Sequence, residues 1–153
     1  MSTVDILPVA PQHVAKVWPL VDKYVEASLE FAQGCFLPVD IRDFCAAGKM
    51  QLWIATRGDS VLAAVVSEIT DYPRKRICAV PFIGGKDLRA WFRKMLLTIE
   101  AWSKEMGCVG MQGGARRGWA KLANMDEVGV VLFKAYDLGA PLETSVTASQ
   151  ELH

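Results

Sequence analysis

Apolar residues along the chain recur with two periods, one helical and one alternating. The longest helical stretch carries Leu88, Trp91, Met95, Ile99, Trp102 and Met106 at steps of 3, 4, 4, 3 and 4. At 3.6 residues per turn these positions share one face of a helix about five turns long. Gly107 follows as a C-terminal stop, and Asp87 precedes as an N-cap candidate. Just upstream, a hydrophobic run over residues 77–83 ends at Gly84 and Gly85. The unit reads strand, glycine turn, helix.

The same reading extends to the rest of the chain. Residues 4–9 (Val-Asp-Ile-Leu-Pro-Val) predict a short strand, and Pro8 places it at a sheet edge. Pro11 opens a helix reaching about residue 31, with Val14, Val17, Trp18, Val21 and Val25 inward and Gly34 beyond its end. A second helix over 38–47 turns Ile41, Phe44 and Cys45 inward and stops near Gly48. Strands over 51–56 and 61–70 flank a turn and predict an antiparallel hairpin. After a turn at 71–75, residues 76–83 complete a three-strand meander. Beyond the long helix come a strand at 108–113, a basic glycine-rich turn at 114–118, a short helix at 119–124 and a final strand at 127–136.

The predicted order is β, α, α, β, β, β, α, β, α, β. That is an α+β fold: a mixed, mostly antiparallel sheet with one parallel step after the long helix, and flanking helices. Residues 1–138 form one domain in this reading. Residues 139–153 are polar and aperiodic, and are expected to be a frayed tail.

Composition narrows the class. The 153 residues are 52% hydrophobic and 22% charged, which suits a globular chain that buries roughly two-thirds of its unfolded surface. There is no run of membrane-spanning length and no basic segment followed by an apolar core at the N-terminus, so a cytoplasmic protein is expected. The four cysteines, Cys35, Cys45, Cys78 and Cys108, form no C-x-x-C pair, and the histidines are His13 and His153. No metal site is expected from that spacing, and all four thiols are read as reduced, with Cys78 and Cys108 inside strands.

Charge changes the picture more. Formal net charge is zero, yet residues 74–121 hold eleven Lys or Arg against three acids, a net of +8. The remainder carries −8. A basic middle points to an anionic ligand, while Arg89, Arg93, Lys94 and Lys104 also fit a solvated helix face. The strand–glycine–helix junction can hold a phosphate through free N–H groups and the helix dipole, though a bare glycine turn needs no ligand.

The element order, with Gly84-Gly85 between the third meander strand and a long helix, resembles the GCN5-related N-acetyltransferase superfamily over residues 4–138. Leu52-Trp53-Ile54, Glu68 with Tyr72-Pro73, Gly84-Gly85 with Trp91, and Arg116-Arg117-Gly118-Trp119 also look like small acetyltransferase-like proteins of tailed phages. The resemblance implies that the strand before the long helix splays from the next parallel strand and that acetyl-CoA lies in the cleft. Pantetheine would then pair with Ala79, Val80 and Phe82. The pyrophosphate would sit on Ile83, Gly84, Gly85, Lys86 and Asp87, with Arg116, Arg117 and Trp119 at the cleft. Arg116 and Arg117 also fit a solvated loop, and Trp119 also fits the core.

The superfamily's pyrophosphate motif (Gln or Arg, two residues, Gly, one residue, Gly or Ala) is absent here as written. The tyrosine that often serves these enzymes as general acid is absent from the helix at 119–124. Glu68, late in the second meander strand, is the candidate base for deprotonating an amine, and also fits a solvent-facing strand position. The resemblance thus implies direct acetyl transfer to an unidentified amine. The alternatives are a degenerate phage assembly or virion accessory protein on the same fold, with a protein partner or a homo-oligomer, and a nucleic-acid binder. Zero net charge and the lack of a reader motif weigh against the last.

Overall fold

A computed structural model describes residues 3–32, 34–114, 119–129 and 131–139. The elements are β1 (Val4–Val9), α1 (Val14–Ser28), α2 (Pro38–Ala46), β2 (Gln51–Arg57), β3 (Ser60–Asp71), β4 (Arg76–Gly85), α3 (Leu88–Glu105), β5 (Gly110–Gln112) and α4 (Trp119–Ala123). Short 3-10 turns at Pro11–His13 and Leu29–Phe31 bracket α1. The helix expected over 11–31 is therefore three pieces.

One sheet runs in the order β1-β2-β3-β4-β5. Its first four strands are antiparallel neighbours, and β5 joins β4 in parallel. This is the mixed sheet that the element order predicts. Both faces are covered, so the middle strands read as continuous apolar runs rather than alternating ones. On one face α1 and α2 bury Val14, Trp18, Val21, Ile41 and Cys45 against Leu52, Ile54, Ala64, Val66 and Phe82. On the other, α3 buries Trp91, Phe92, Met95 and Ile99 against Trp53, Ala63, Val65, Cys78 and Val80.

The long helix follows its predicted stripe from Leu88 to Trp102 and leaves it only at its C-terminal cap. Trp91, Met95 and Ile99 are buried, while Met106 is an exposed cap residue. Trp102 meets Trp53 edge-on at 5.4 Å between ring centroids. Beneath them a buried polar relay crosses the sheet: Trp53 Nε1 donates to Ser67 Oγ at 2.9 Å, and Ser67 Oγ donates to Gln51 Oε1 at 2.9 Å.

Three sequence expectations need correction. Gly84 and Gly85 are strand residues, paired with Ala64 and Ala63, and the turn falls at Lys86 and Asp87. A Cβ on Gly84 would lie 2.1 Å from the Tyr24 carbonyl oxygen, and one on Gly85 would lie 2.4 Å from the Ala63 Cβ. These glycines serve close packing within the fold. The strand expected at 108–113 shortens to Gly110–Gln112, leaving buried Cys108 just ahead of it. The strand expected at 127–136 is not seen in its described residues: 127–129 and 131–136 adopt neither helix nor strand. Among the described residues no strand pairs with this stretch, and a β ladder needs one. The tail beyond residue 139 lies outside the described residues.

Candidate active site

The candidate site is the place where β4 and β5 part. Their pairing covers Ile77 with Gly110, Cys78 with Met111 and Ala79 with Gln112. Gly113 is still close, since a Cβ there would lie 3.0 Å from the Val80 carbonyl oxygen. Beyond that point β4 continues to Gly85, and among the described residues nothing pairs with its far side. Main-chain N–H and C=O groups along that edge are open to a ligand, except at Pro81, which has no N–H.

The opposite side of β4 explains why its side chains change direction. Val66 of β3 faces Phe82, yet Glu68 faces Ala79. Two steps on β3 match three on β4, so one extra residue sits at Val80–Pro81 as a β-bulge. Alternation would put Val80 and Phe82 on one face. Instead Val80 packs beneath α3 and Phe82 beneath α1 and α2. The Phe82 ring is buried and meets Phe36 edge-on at 5.4 Å. Phe82 is thus a core side chain whose backbone alone can face a cofactor. Ile83 is half-buried against the α3 core.

Glu68 follows Ala64 and Val66 on the α1–α2 face of β3, beside the bulge. It is half-buried, and its carboxylate makes no hydrogen bond or ion pair among the described residues. Ser67, its neighbour, points the other way into the Trp53 relay. Asp71 is committed elsewhere: its carboxylate pairs with the Arg76 guanidinium at 2.6 Å, which pushes Arg76 above its ordinary value by hydrogen bonding and charge.

At the other end, β4 leads directly into α3. Lys86 is held by its backbone, with its N–H on the Leu62 carbonyl at 2.8 Å and its carbonyl receiving the Trp91 indole N–H at 2.7 Å. Its side chain is exposed. Asp87 adopts a left-handed conformation with φ of 55°, and its side chain makes no cap bond. Its carbonyl accepts the Ala90 N–H at 2.8 Å, and its carboxylate turns to Arg57 Nη1 at 3.5 Å. The carboxylate is therefore partly neutralised, and the first-turn N–H groups of α3 are left without a side-chain cap. Trp119 on α4 packs against Phe92 at 5.3 Å between centroids, at the edge of the α3 core. Arg116 and Arg117 lie outside the described residues.

Searches for relatives by sequence give nothing: no protein-family model and no curated protein matches. Comparison of structures does. An aminoglycoside acetyltransferase from an uncultured soil metagenomic sample, solved with sisomicin, superposes with a TM-score of 0.67 at 12% identity, over 88% of this chain and 96% of that one. This chain has the GCN5-related N-acetyltransferase fold. An aminoglycoside N-acetyltransferase solved with CoA superposes at 0.66 and 14% identity, over 89% of this chain and 96% of that one. A GCN5-related N-acetyltransferase from Ralstonia eutropha JMP134 superposes at 0.61 and 14% identity, over 89% and 99%. At such identity the likeness concerns the fold.

Within this fold the structure brings Glu68, Ala79 and Val80 together at one end of the open edge, and Lys86 and Asp87 at the other. Sequence reasoning missed two contributors. Tyr24 is buried, donates its hydroxyl to the Val61 carbonyl at 2.9 Å and sets its own carbonyl against Gly84. Its position one step before Val25 on the inward face was the available signal. Arg57 falls in the turn that the sequence predicts between strands 51–56 and 61–70, and nothing local connects it to Asp87. Burial pushes the Cys45 thiol up to about 12 and the Cys78 thiol up to about 11. No metal-holding group of three or more His, Cys, Asp or Glu occurs among the described residues, and no described helix is long and apolar enough to cross a membrane.

Proposed function

We propose that this chain is an acetyl-CoA-dependent N-acyltransferase that passes an acetyl group directly to an amine. The carrying observation is that β4 outruns β5 past Ala79 and ends on the N-terminus of α3. An open strand edge accepts an extended, amide-bearing chain by main-chain hydrogen bonds. The first turn of a helix accepts phosphate. Pantetheine joined to a pyrophosphate presents those two groups in that order. Solved proteins of this fold hold CoA or acetyl-CoA.

The residues present suit that occupant. The backbone of Ala79, Val80, Phe82 and Ile83 would hold the pantetheine. The Gly84-Gly85-Lys86-Asp87 segment and the N–H groups of α3 would hold the pyrophosphate, with Lys86, Arg116 and Arg117 adding charge and Trp119 closing the cleft side. Acetyl-CoA supplies a thioester whose C–S bond breaks as the amine nitrogen forms the C–N bond. Glu68 takes the proton that the amine gives up, directly or through one water, a contribution of about 10²–10⁴-fold. With no tyrosine on α4, the departing thiolate draws its proton from solvent.

A second reading has one observation in its favour. Gly84 and Gly85 are occupied by packing, and a carboxylate stands at the helix start. That would suit an accessory protein, such as a phage assembly or virion component, that keeps the fold without the chemistry. Thermal melting with millimolar acetyl-CoA separates the two. A ligand at a hundred times its Kd adds about 2.7 kcal/mol, a shift of roughly 5–10 °C at this size. A folded sample with no shift sinks the transferase reading.

A further inference from the structure

We infer that the acceptor is a small amine with one ammonium on an apolar body, selected by Glu68 and the apolar margin of the α1–α2 core. This rests on the transferase reading above. Glu68 stands at the edge of that core. It follows Val66 on the same face of β3, about 7 Å along the strand. The β2–β3 register pairs Gln51 with Ser67, and carried one residue further it sets buried Met50 opposite Glu68. Phe82 lies across from Val66, and the Phe36 ring meets it edge-on at 5.4 Å. Leu37 follows Phe36 and is 53% exposed. Toward β4 the partner of Glu68 is Ala79, which also makes the last pair before β5 departs. A methyl group there leaves the carboxylate open on the side where the thioester would lie.

The charges around Glu68 limit what it can hold. Thr70, next on the same face, is neutral and half-buried. Asp71 is paired with Arg76 at 2.6 Å. Asp40 is turned back onto its own helix, accepting the Leu37 N–H at 2.9 Å. Among the described residues, then, one uncommitted carboxylate faces an apolar margin. A single ammonium satisfies it. A second ammonium brought against that margin would lose water without gaining a counter-charge, which is costly. An apolar body instead gains by covering Phe36 and Leu37. In the transfer, the ammonium gives one proton to Glu68 and the freed nitrogen attacks the thioester carbonyl. The C–N bond forms as the C–S bond breaks. The nitrogen loses its second proton to solvent, and the departing thiolate takes one from solvent. The products are the N-acetyl amide, CoA thiol and one proton, which Glu68 releases.

The test measures CoA thiol release by the full-length chain with three amines, beside its melting shift with acetyl-CoA. 2-Phenylethylamine carries one ammonium on an apolar body, ethanolamine one on a polar body, and spermine four. The expected result is an acetyl-CoA shift with kcat/KM for 2-phenylethylamine about 10-fold or more above the other two. A shift with ethanolamine or spermine equal or preferred overturns the inference and leaves the transferase reading standing. A shift with no transfer to any of the three also overturns it. No shift and no transfer removes the transferase reading, and the inference with it. Thr70→Glu sets a second carboxylate on the same face, and should raise the ratio of spermine to 2-phenylethylamine several-fold. An unchanged ratio in a folded variant refutes selection by charge, and the wild-type ranking decides the matter alone should the variant not fold.

Discussion

Gly84 on β4 lies so close to Tyr24 on α1 that a Cβ at position 84 would stand 2.1 Å from the Tyr24 carbonyl oxygen. That contact sets how near α1 can approach the strand on which the proposed cofactor would lie. The obstacle is backbone, so it cannot swing aside as a side chain would. Gly84→Ala should therefore cost stability at the upper end of overpacking, about 2–3 kcal/mol or more. Urea unfolding measures it. Gly58→Ala is the comparison: φ there is +59° with open space around the site, so only the backbone penalty of about 1 kcal/mol applies. Equal losses at the two positions would refute the close-approach account. Gly84 substitutions are correspondingly poor probes of ligand binding, because they disturb the fold first.

Ser67 is wholly buried and accepts the Trp53 indole N–H while donating to Gln51. Ser67→Ala leaves that indole without a partner, at a cost of about 1–3 kcal/mol. Gln51→Ala leaves the Trp53–Ser67 bond in place and should cost less. Chemical denaturation of the two variants would show it, and the reverse ranking would contradict the relay.

Glu68 and the acetyl-CoA site are expected to separate. Glu68→Gln should lower kcat by about 10²–10⁴-fold with an amine acceptor while leaving the acetyl-CoA melting shift intact, since the carboxylate sits beside the bulge and the shift reports the open edge and α3. Steady-state rates and melts on the same variant give both readings. Unchanged turnover would remove Glu68 from the mechanism.

Asp87 and Arg57 should act on acetyl-CoA in opposite directions. Asp87→Asn removes a negative charge at the start of α3 and should tighten binding several-fold at low salt. Arg57→Ala frees the Asp87 carboxylate from its 3.5 Å partner and should weaken it. Calorimetric titration with acetyl-CoA measures both, and weaker binding to Asp87→Asn would argue against a pyrophosphate there.

Burial raises the Cys45 and Cys78 thiols from 9.0 to about 12 and about 11. In the unfolded chain these thiols ionise near 9.0, whereas in the fold they stay protonated. Their contribution to stability is complete below pH 9.0 and falls as pH climbs toward about 11 and about 12. Urea midpoints from pH 8 to 10.5 should decline less steeply for Cys45→Ala/Cys78→Ala than for the wild type. Near pH 8, a thiol reagent should modify exposed Cys35 first in the native protein. A parallel decline, or equal labelling of all four thiols, would refute the assignment.

The parts of this fold that depend on near neighbours were readable in the chain itself. Helical spacing identified α1, α2 and α3, and alternating or continuous apolar runs between turn residues identified the meander β2–β3–β4. The parallel return to β5 followed from the intervening helix. These features rest on i to i+4 contacts and hairpin closure, which a local pattern encodes. The β-bulge at Val80–Pro81 does not, because it is a mismatch between two strands and exists only in their pairing. The same holds for Gly84 and Gly85: as a sequence they read as a turn, and only the approach of Tyr24 and Ala63 shows why a Cβ is excluded. Glu68 could be named from its place late in β3, but its face depends on the alternation that Val66 and Ser67 adopt in the assembled sheet. Residues 127–136 mark the limit from the other side. Their composition determined a strand former, and the tertiary structure decided otherwise: its described residues pair with no strand, and a ladder requires a second backbone at hand.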